Sequence, residues 1–376
     1  MTTTGDLPFV LHVDDQPDDL RSWQDEVGRL GSIDLEVSHP DDVTAENLSR
    51  ATLVLVDFKI EQWVKRENMD SLALKPENGF ALLSVLQEAA LEQTPGQPRA
   101  FALYTAVIQE IARGLPHQPH IISRAHNLEW IFEKNGGREN NVTQRAGRVA
   151  ELATAVSALP SPWPGDTPEK AEDALSKWLC LGEDVSWHDA AWRGVRLCRP
   201  PLHEFAGHTQ GVGVLRWALH RVLPYPTFLL DEAHLAARLR VSLQSLRSCL
   251  ASGSLETLFS EAEYRGQLSG FLGRRWWKSG IEAEIFELTA DAPGDLSVLH
   301  QALGHRVPTL ETVDEPRLFP VMDGQFYLKD QLATQVEVVE IVPDDWPPFA
   351  DEAWALRSDL EDSLELRAIA IEDEEA

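Results

Sequence analysis

Thr52-Leu53-Val54-Leu55-Val56-Asp57 is the stretch on which the reading of this 376-residue chain turns. Five apolar or β-branched residues run straight into one aspartate. A continuous apolar run of this length suits a strand buried on both faces of a parallel sheet. Ligands of open α/β sheets collect at the carboxyl ends of such strands. A carboxylate at that end is therefore placed for chemistry rather than for packing.

Three further stretches lead to the same end of the same sheet. Pro8-Phe9-Val10-Leu11-His12-Val13 runs into Asp14-Asp15, Arg99 to Tyr104 runs into Thr105-Ala106, and Leu128 to Glu133 runs into Lys134. Parallel strands bring these ends together: three acids, a hydroxyl and an ammonium. Three neighbouring carboxylates repel one another and call for a compensating cation. A hard divalent ion that prefers oxygen ligands, Mg²⁺, fits best. With such an ion bound, Asp57 stays ionised and is able to attack a phosphoryl group as a carboxylate nucleophile. Thr105 and Lys134 would hold the phosphoryl oxygens.

The intervening sequence alternates helix and strand. Leu20, Trp23, Val27 and Leu30 recur at helical spacing and Gly31 closes that helix. Ile33 to Val37 alternates as a strand. Ala45 to Arg50, Gly79 to Ala90, Val107 to Leu115 and Thr143 to Leu159 read as helices, and Pro116 to Asn127 as a loop. Five strands alternating with helices predict a doubly wound, five-stranded parallel α/β unit.

Val13-Asp14-Asp15, Val56-Asp57-Phe58-Lys59, Gly79 opening a helix, Thr105-Ala106 and Lys134 together resemble a response-regulator receiver domain, of flavodoxin-like fold, over roughly the first 160 residues. The resemblance implies that Asp57 is the phospho-acceptor. It implies that Asp14 and Asp15 carry a Mg²⁺ site with Asp57 and the backbone carbonyl of Lys59. It also makes Thr105 the switch hydroxyl and Lys134 the phosphate-binding lysine. Three departures stand out. Asp57 and Gly79 lie 22 positions apart, and Thr105 and Lys134 lie 29 apart, both long for the family. Asn135 stands where the family usually has proline. The extra stretch from Glu61 to Lys75 lies beside the expected site and suggests a partner surface of its own.

Pro160-Ser161-Pro162-Trp163-Pro164-Gly165 marks the expected boundary. The division expected is a receiver at 1–160, a mainly helical output or interaction domain with a small β element at 161–343, and an acidic tail at 344–376. From Asp344 to Glu375 twelve acids face Arg357 and Arg367, the pattern of a solvated tail. Leu255 to Tyr264 reads as a helix, and Arg317 to Leu328 as a hairpin turning at Asp323-Gly324. Trp276 and Trp277 cannot both face inward on one strand, so one is expected at a contact surface.

Composition narrows the function. The formal net charge is −28, which opposes non-specific binding to nucleic acid. No window approaches the apolar length of a membrane span. Three scattered cysteines fit a reducing cytoplasm and give neither a disulfide framework nor a zinc pattern. The segment Leu235 to Leu250 resembles a helix-turn-helix, with Arg240, Gln244 and Arg247 as the DNA contacts it would imply. It lies in a window, Glu232 to Lys278, with seven basic residues against four acids. His203-Glu204-Phe205-Ala206-Gly207-His208 invites a metal reading, but its histidines are five apart, so packing is the better account.

The expectation is thus a cytoplasmic two-component response regulator. It would take a phosphoryl group from a histidine kinase or phosphotransfer protein onto Asp57 with Mg²⁺. It would signal through a protein-interaction output domain to a downstream effector, as a switch rather than a metabolic enzyme. The rivals are a DNA-binding transcription regulator acting through residues 235–250 and an effector enzyme gated by the receiver.

Overall fold

The computed structural model describes the chain except residues 1–6, 68–75, 77, 95, 113–116, 135–140, 165–166, 203–210, 256–257, 290–291, 293 and 372–376. Two compact units emerge. The first comprises Met1–Leu179, Pro201–His220 and Gly266–Phe271, and the second comprises the remainder.

The first unit is built on a five-stranded, all-parallel sheet: β1 (Phe9–Val13), β2 (Asp34–Ser38), β3 (Leu53–Asp57), β4 (Ala100–Thr105) and β5 (Trp130–Glu133), in the order β2-β1-β3-β4-β5. This is the flavodoxin-like receiver fold. Leu53 to Val56 are wholly buried, as expected of a strand covered on both faces. β2, at one edge, carries the half-exposed polar alternation that an edge strand tolerates.

The helices follow the sequence pattern: α1 (Arg21–Leu30), α2 (Ala45–Arg50), a short α3 (Val64–Glu67), α4 (Gly79–Gln93), α5 (Ile108–Ala112), α6 (Pro119–Ala125) and α7 (Val142–Ser157). α1 buries Trp23 and Val27 and ends on Gly31, whose φ of 61° lets its N–H reach back to Val27. α6 corrects the loop expected at 116–127. Proline at its first turn suits a helix start, and Ile121 and Ile122 give it an apolar face.

The proline-rich break is not the border of this unit. Trp163 is buried and lies against Gly211. α8 (Pro168–Trp178) buries Ala171, Ala174, Leu175 and Trp178, whose indole N–H donates to the Ala155 carbonyl. Of the next helices, α9 (His188–Leu197) belongs to the second unit and α10 (Val212–Trp217) to the first. The apolar stripe of α8 outweighs the composition of the prolines before it.

The second unit pairs β6 (Leu229–Leu230) with β7 (Trp276–Trp277), and holds α11 (Glu232–Leu239), α12 (Leu243–Ala251), α13 (Lys278–Leu288) and α14 (Leu296–Arg306). It also carries a four-stranded mixed sheet of β8 (Leu318–Met322), β9 (Leu328–Thr334), β10 (Val338–Ile341) and β11 (Ala353–Leu356), in the order β10-β11-β8-β9. Several expectations change here. The described part of the expected tail, 344–371, is folded and not solvated: Ala353 and Ala355 are buried in β11, and Leu366 of α16 (Leu364–Ile369, after α15 at Asp359–Asp362) is wholly buried in the same core. The acids described in this stretch are all exposed or half-buried. The helix expected over 255–264 is not seen among the described residues, where 255 and 258–264 form turns and a bridge. The β8–β9 connection is longer than a two-residue turn: Asp323 N–H donates to the Tyr327 carbonyl, and Phe326 carries the positive φ of 61°. Trp276 and Trp277 are both buried, because residues 228, 187 and 264 wrap the second ring while the first enters the helical core.

Candidate functional site

The order of β1, β3 and their neighbours reverses at β1, so the crevice at the carboxyl ends of β1 and β3 is the switch point of the sheet. Val13 lies opposite Val56 in the register, which sets Asp14 beside Asp57 one residue on. One oxygen each from Asp14, Asp15 and Asp57 lies within 4.8 Å of the others. Lys134, the first residue past β5, reaches across: its Nζ is 3.0 Å from Asp14 Oδ2 and 3.0 Å from Asp57 Oδ2. The sequence-predicted acids and lysine thus meet at one point.

Gly79 is required by the local geometry. Its N–H donates to the Phe58 carbonyl at 2.9 Å, and a Cβ there would collide with the Asp57 carbonyl oxygen. Asn78 caps α4 by accepting from the Phe80 and Ala81 amides. The start of α4 therefore presses directly on the backbone that carries Asp57.

Electrostatics at the site follow from burial and from Lys134. Burial raises the Asp57 carboxyl above its ordinary range, Lys134 opposes that, and Asp14 and Asp15 add to it. Burial also works against the Lys134 ammonium, but Asp57 and Asp14 outweigh it and hold its pKa above the usual value. His12, wholly buried on β1, is driven down to about 3 by burial and is neutral. It packs edge-on against Tyr104 and Trp23, and the Lys134 ammonium sits 5.4 Å from the Tyr104 ring.

The hydrogen bonds at the acids bear on whether they suit a cation. Asp14 Oδ1 accepts from the Gln16 N–H at 2.9 Å, and Asp15 Oδ2 accepts from the Gln62 N–H. Asp15 Oδ1 is buried and has no hydrogen-bond partner among the described residues. A buried, unpartnered carboxylate oxygen is costly, and an oxygen-seeking divalent ion would satisfy it. The donor set fits Mg²⁺. Thr105 is fully buried at the end of β4, where its hydroxyl oxygen accepts from the Val107 N–H at 3.1 Å. The Lys59 ammonium pairs with Glu110 of α5 at 3.2 Å.

Sequence reasoning missed two features. Gln62 contributes a backbone N–H, which leaves no side-chain signature. Glu129, just before β5, is fully buried and accepts from Arg216 Nε at 2.6 Å. Arg216 also donates to the Asn127 carbonyl at 3.1 Å, and His220 Nε2 lies 2.9 Å from the Glu129 carbonyl. Glu129 reads as one more strand residue until its partner, 87 positions later, is brought to it.

In the second unit the helix-turn-helix candidate is built as two helices, with Arg240 in the left-handed conformation at φ 52° and Ser242 capping α12. Its three named residues are differently placed. Gln244 is exposed. Arg247 is paired with Glu232 at 3.0 Å and Asp330 at 3.1 Å, and Arg240 donates to the Pro316 carbonyl at 3.3 Å. Near the N-terminus of α12, the Ser245 hydroxyl is bonded to the backbone of Thr309 and Glu311. The motif at His203 to His208 lies outside the described residues.

No protein-family model and no curated protein matches the chain. Among solved structures it is similar to the RcsB response regulator of Salmonella typhimurium, in a structure titled for conformational dynamism in DNA interaction. The identity is 14%, covering 67% of this chain and 92% of that one, with a TM-score of 0.26. A second structure of that protein gives 13%, 67%, 92% and 0.25. RcsB from Salmonella enterica serovar Typhimurium, bound to a promoter in the presence of the phosphomimetic BeF3⁻, gives 13%, 56%, 97% and 0.22. The receiver fold of the first unit rests on its own strand order and register. No helix among the described residues is long and apolar enough to cross a membrane.

Proposed function

We propose that the chain is a two-component response regulator whose first unit accepts a phosphoryl group on Asp57. The observation that carries this reading is the meeting of Asp14, Asp15, Asp57 and Lys134 at the switch point of a five-stranded parallel sheet. An Asp57 carboxylate oxygen attacks the phosphorus of the donor. An O–P bond forms, and the bond from phosphorus to the donor breaks, with its electron pair leaving on the donor. A phosphohistidine of a kinase or phosphotransfer protein is the donor class this suits. Asp14, Asp15, Asp57 and the Lys59 carbonyl would hold Mg²⁺, which when bound neutralises charge on the phosphoryl oxygens. Lys134 binds a phosphoryl oxygen through its ammonium, and the Thr105 hydroxyl, whose oxygen accepts from the Val107 N–H, donates its own O–H to another.

The output we infer is a protein contact and not a DNA contact. Arg247 is already neutralised by two carboxylates, Arg240 is spent on a backbone carbonyl, and the start of α12 is engaged by residues 309–311. The chain's charge of −28 points the same way. The protein is a switch in this reading, with no metabolic chemistry of its own.

Incubation with acetyl phosphate and MgCl₂ tests the phospho-acceptor. Intact-mass spectrometry should show one added phosphoryl group on the native chain and none on Asp57→Asn. Equal labelling of the two would overturn the assignment.

A further inference from the structure

The segment after Asp57 is longer than a receiver needs, and its described part does not hang free. Ile60 and Trp63 are buried in the same apolar core as β3 and α4. The Trp63 indole N–H donates to Asp41 Oδ1 at 2.7 Å, in the turn that follows β2. Asp41 also receives Lys65 Nζ at 3.3 Å, and His39 Nδ1 lies 3.6 Å from it. Arg66 donates to the Ile60 carbonyl at 2.8 Å and to the Pro76 carbonyl at 3.2 Å. Residues 60–66 are therefore fastened at both flanks. Between the fastenings the Gln62 N–H points at Asp15 and occupies its Oδ2. The other oxygen, Oδ1, is the buried one without a partner among the described residues.

We infer that Trp63, held by Asp41, is a positioning residue for the cation site. It fixes the Gln62 amide on Asp15 Oδ2 and thereby fixes how Asp15 presents Oδ1. This rests on the reading of Asp14, Asp15 and Asp57 as a divalent-cation site. A carboxylate pinned through one oxygen has little rotational freedom left, so less ordering cost falls on cation binding. Without the staple the loop must order each time the ion binds. The cost is that of one hydrogen bond, so the affinity change is about fivefold.

The test measures Mn²⁺ affinity by electron paramagnetic resonance on the full chain, with Mg²⁺ in competition. Trp63→Phe and Asp41→Ala should each weaken binding about fivefold. Asp41→Asn keeps an oxygen that accepts from the indole, and it should bind as the native chain does. Hydrogen exchange read by mass spectrometry on the peptide spanning 58–67 should quicken in Trp63→Phe and Asp41→Ala but not in Asp41→Asn. Trp63→Phe risks a packing defect, but Asp41 lies near the surface and its variants report without one. Native affinity in Asp41→Ala would overturn the positioning role, as would equal weakening in Asp41→Ala and Asp41→Asn. If the native chain binds no Mn²⁺, or Asp14→Ala with Asp15→Ala binds it equally well, the cation-site reading itself fails.

Discussion

Lys134→Ala gives the sharpest test of how the acidic site is held together. Lys134 Nζ is 3.0 Å from both Asp14 and Asp57, and the side chains of Lys134, Asp14 and Asp57 are 21%, 3% and 14% exposed. At an effective dielectric of about 20, each contact is worth about 5 kcal/mol in gross attraction, and much of that is offset by desolvation. Removing one partner of a largely buried pair costs about 3 kcal/mol net, because the other charges stay behind. For a unit of about 200 residues that lowers the melting temperature by roughly 6–12 °C. A divalent cation should reverse the loss. At tenfold over its dissociation constant an ion adds about 1.4 kcal/mol to any state it binds selectively. The gain should be larger in Lys134→Ala, because no ammonium then competes for the Asp14 and Asp57 oxygens. The assay is thermal unfolding of the native and variant chains, with and without MgCl₂. The pH dependence has a sign too. The folded Asp57 carboxyl sits above its unfolded value. Between the two values the folded state binds the proton more readily, so stability falls as pH rises. Losing Lys134 lifts that carboxyl further, so the variant's deficit should shrink as pH falls from 7 towards 5. An apo variant that melts with the native chain, or one that gains no more from Mg²⁺, would refute this account.

Arg216→Ala should destabilise the first unit by about 3 kcal/mol, since it strips the partner from fully buried Glu129. Burial already raises the Glu129 carboxyl, with Arg216 opposing it, so the deficit measured by urea unfolding should be smaller at pH 5 than at pH 7, and Glu129→Gln should abolish that pH dependence. Truncation after Val342 removes Ala353, Ala355 and Leu366 from the core they share with Met322, Val339 and Ile341, and should expose those three and raise dye binding by the second unit, while labelling of Asp57 by a small phosphodonor persists. Fluorescence anisotropy of a mixed-sequence duplex should show no tight, salt-sensitive binding by the full chain, phosphorylated or not. Tight binding lost in Arg240→Ala with Arg247→Ala would favour the transcription-regulator reading instead.

How much of this was legible in the sequence depended on how local the signal is. The strands of the receiver sheet were legible because burial on both faces leaves continuous apolar runs, and Asp14, Asp57, Thr105 and Lys134 were legible because each ends such a run. Gly79 announced itself because no other residue fits beside the Asp57 carbonyl. The limits of the first unit were not legible. Prolines at 160–164 suggest an exit from the fold, yet buried Trp163 and the apolar face of α8 keep the chain within it, and the Glu129–Arg216 pair joins positions 87 apart. The same holds for residues 344–371. Their acidic composition outweighed a short apolar run at Ala353 to Leu356, whose strand partners, β10 and β8, come from elsewhere in the chain. The Trp276-Trp277 pair misled because strand alternation presumes one solvent face, and in a two-residue strand walled by aromatic rings there is none.

The site's hydrogen bonds also say how a phosphoryl group would be felt beyond it. An ammonium has three donors, and Lys134 spends two of them on Asp14 and Asp57. A phosphoryl group on Asp57 converts that carboxylate into an acyl phosphate and offers new anionic oxygens farther out. Lys134 must then follow the charge outward and release the Asp57 oxygen. Its own backbone N–H is bonded to the Thr105 carbonyl at 2.6 Å, so the end of β5 cannot shift without pulling on the end of β4. Thr105 in turn holds the Val107 amide through its hydroxyl. A hydroxyl that moves to donate its own O–H to the phosphoryl group while still accepting from the Val107 amide draws with it the first residues of the segment leading into α5. Glu110 of α5 is the partner of Lys59, two residues beyond Asp57. Lys134 thus answers to the charge on Asp57, and α5, tied to the Asp57 loop by the Lys59–Glu110 pair, is where the rearrangement would reach the surface.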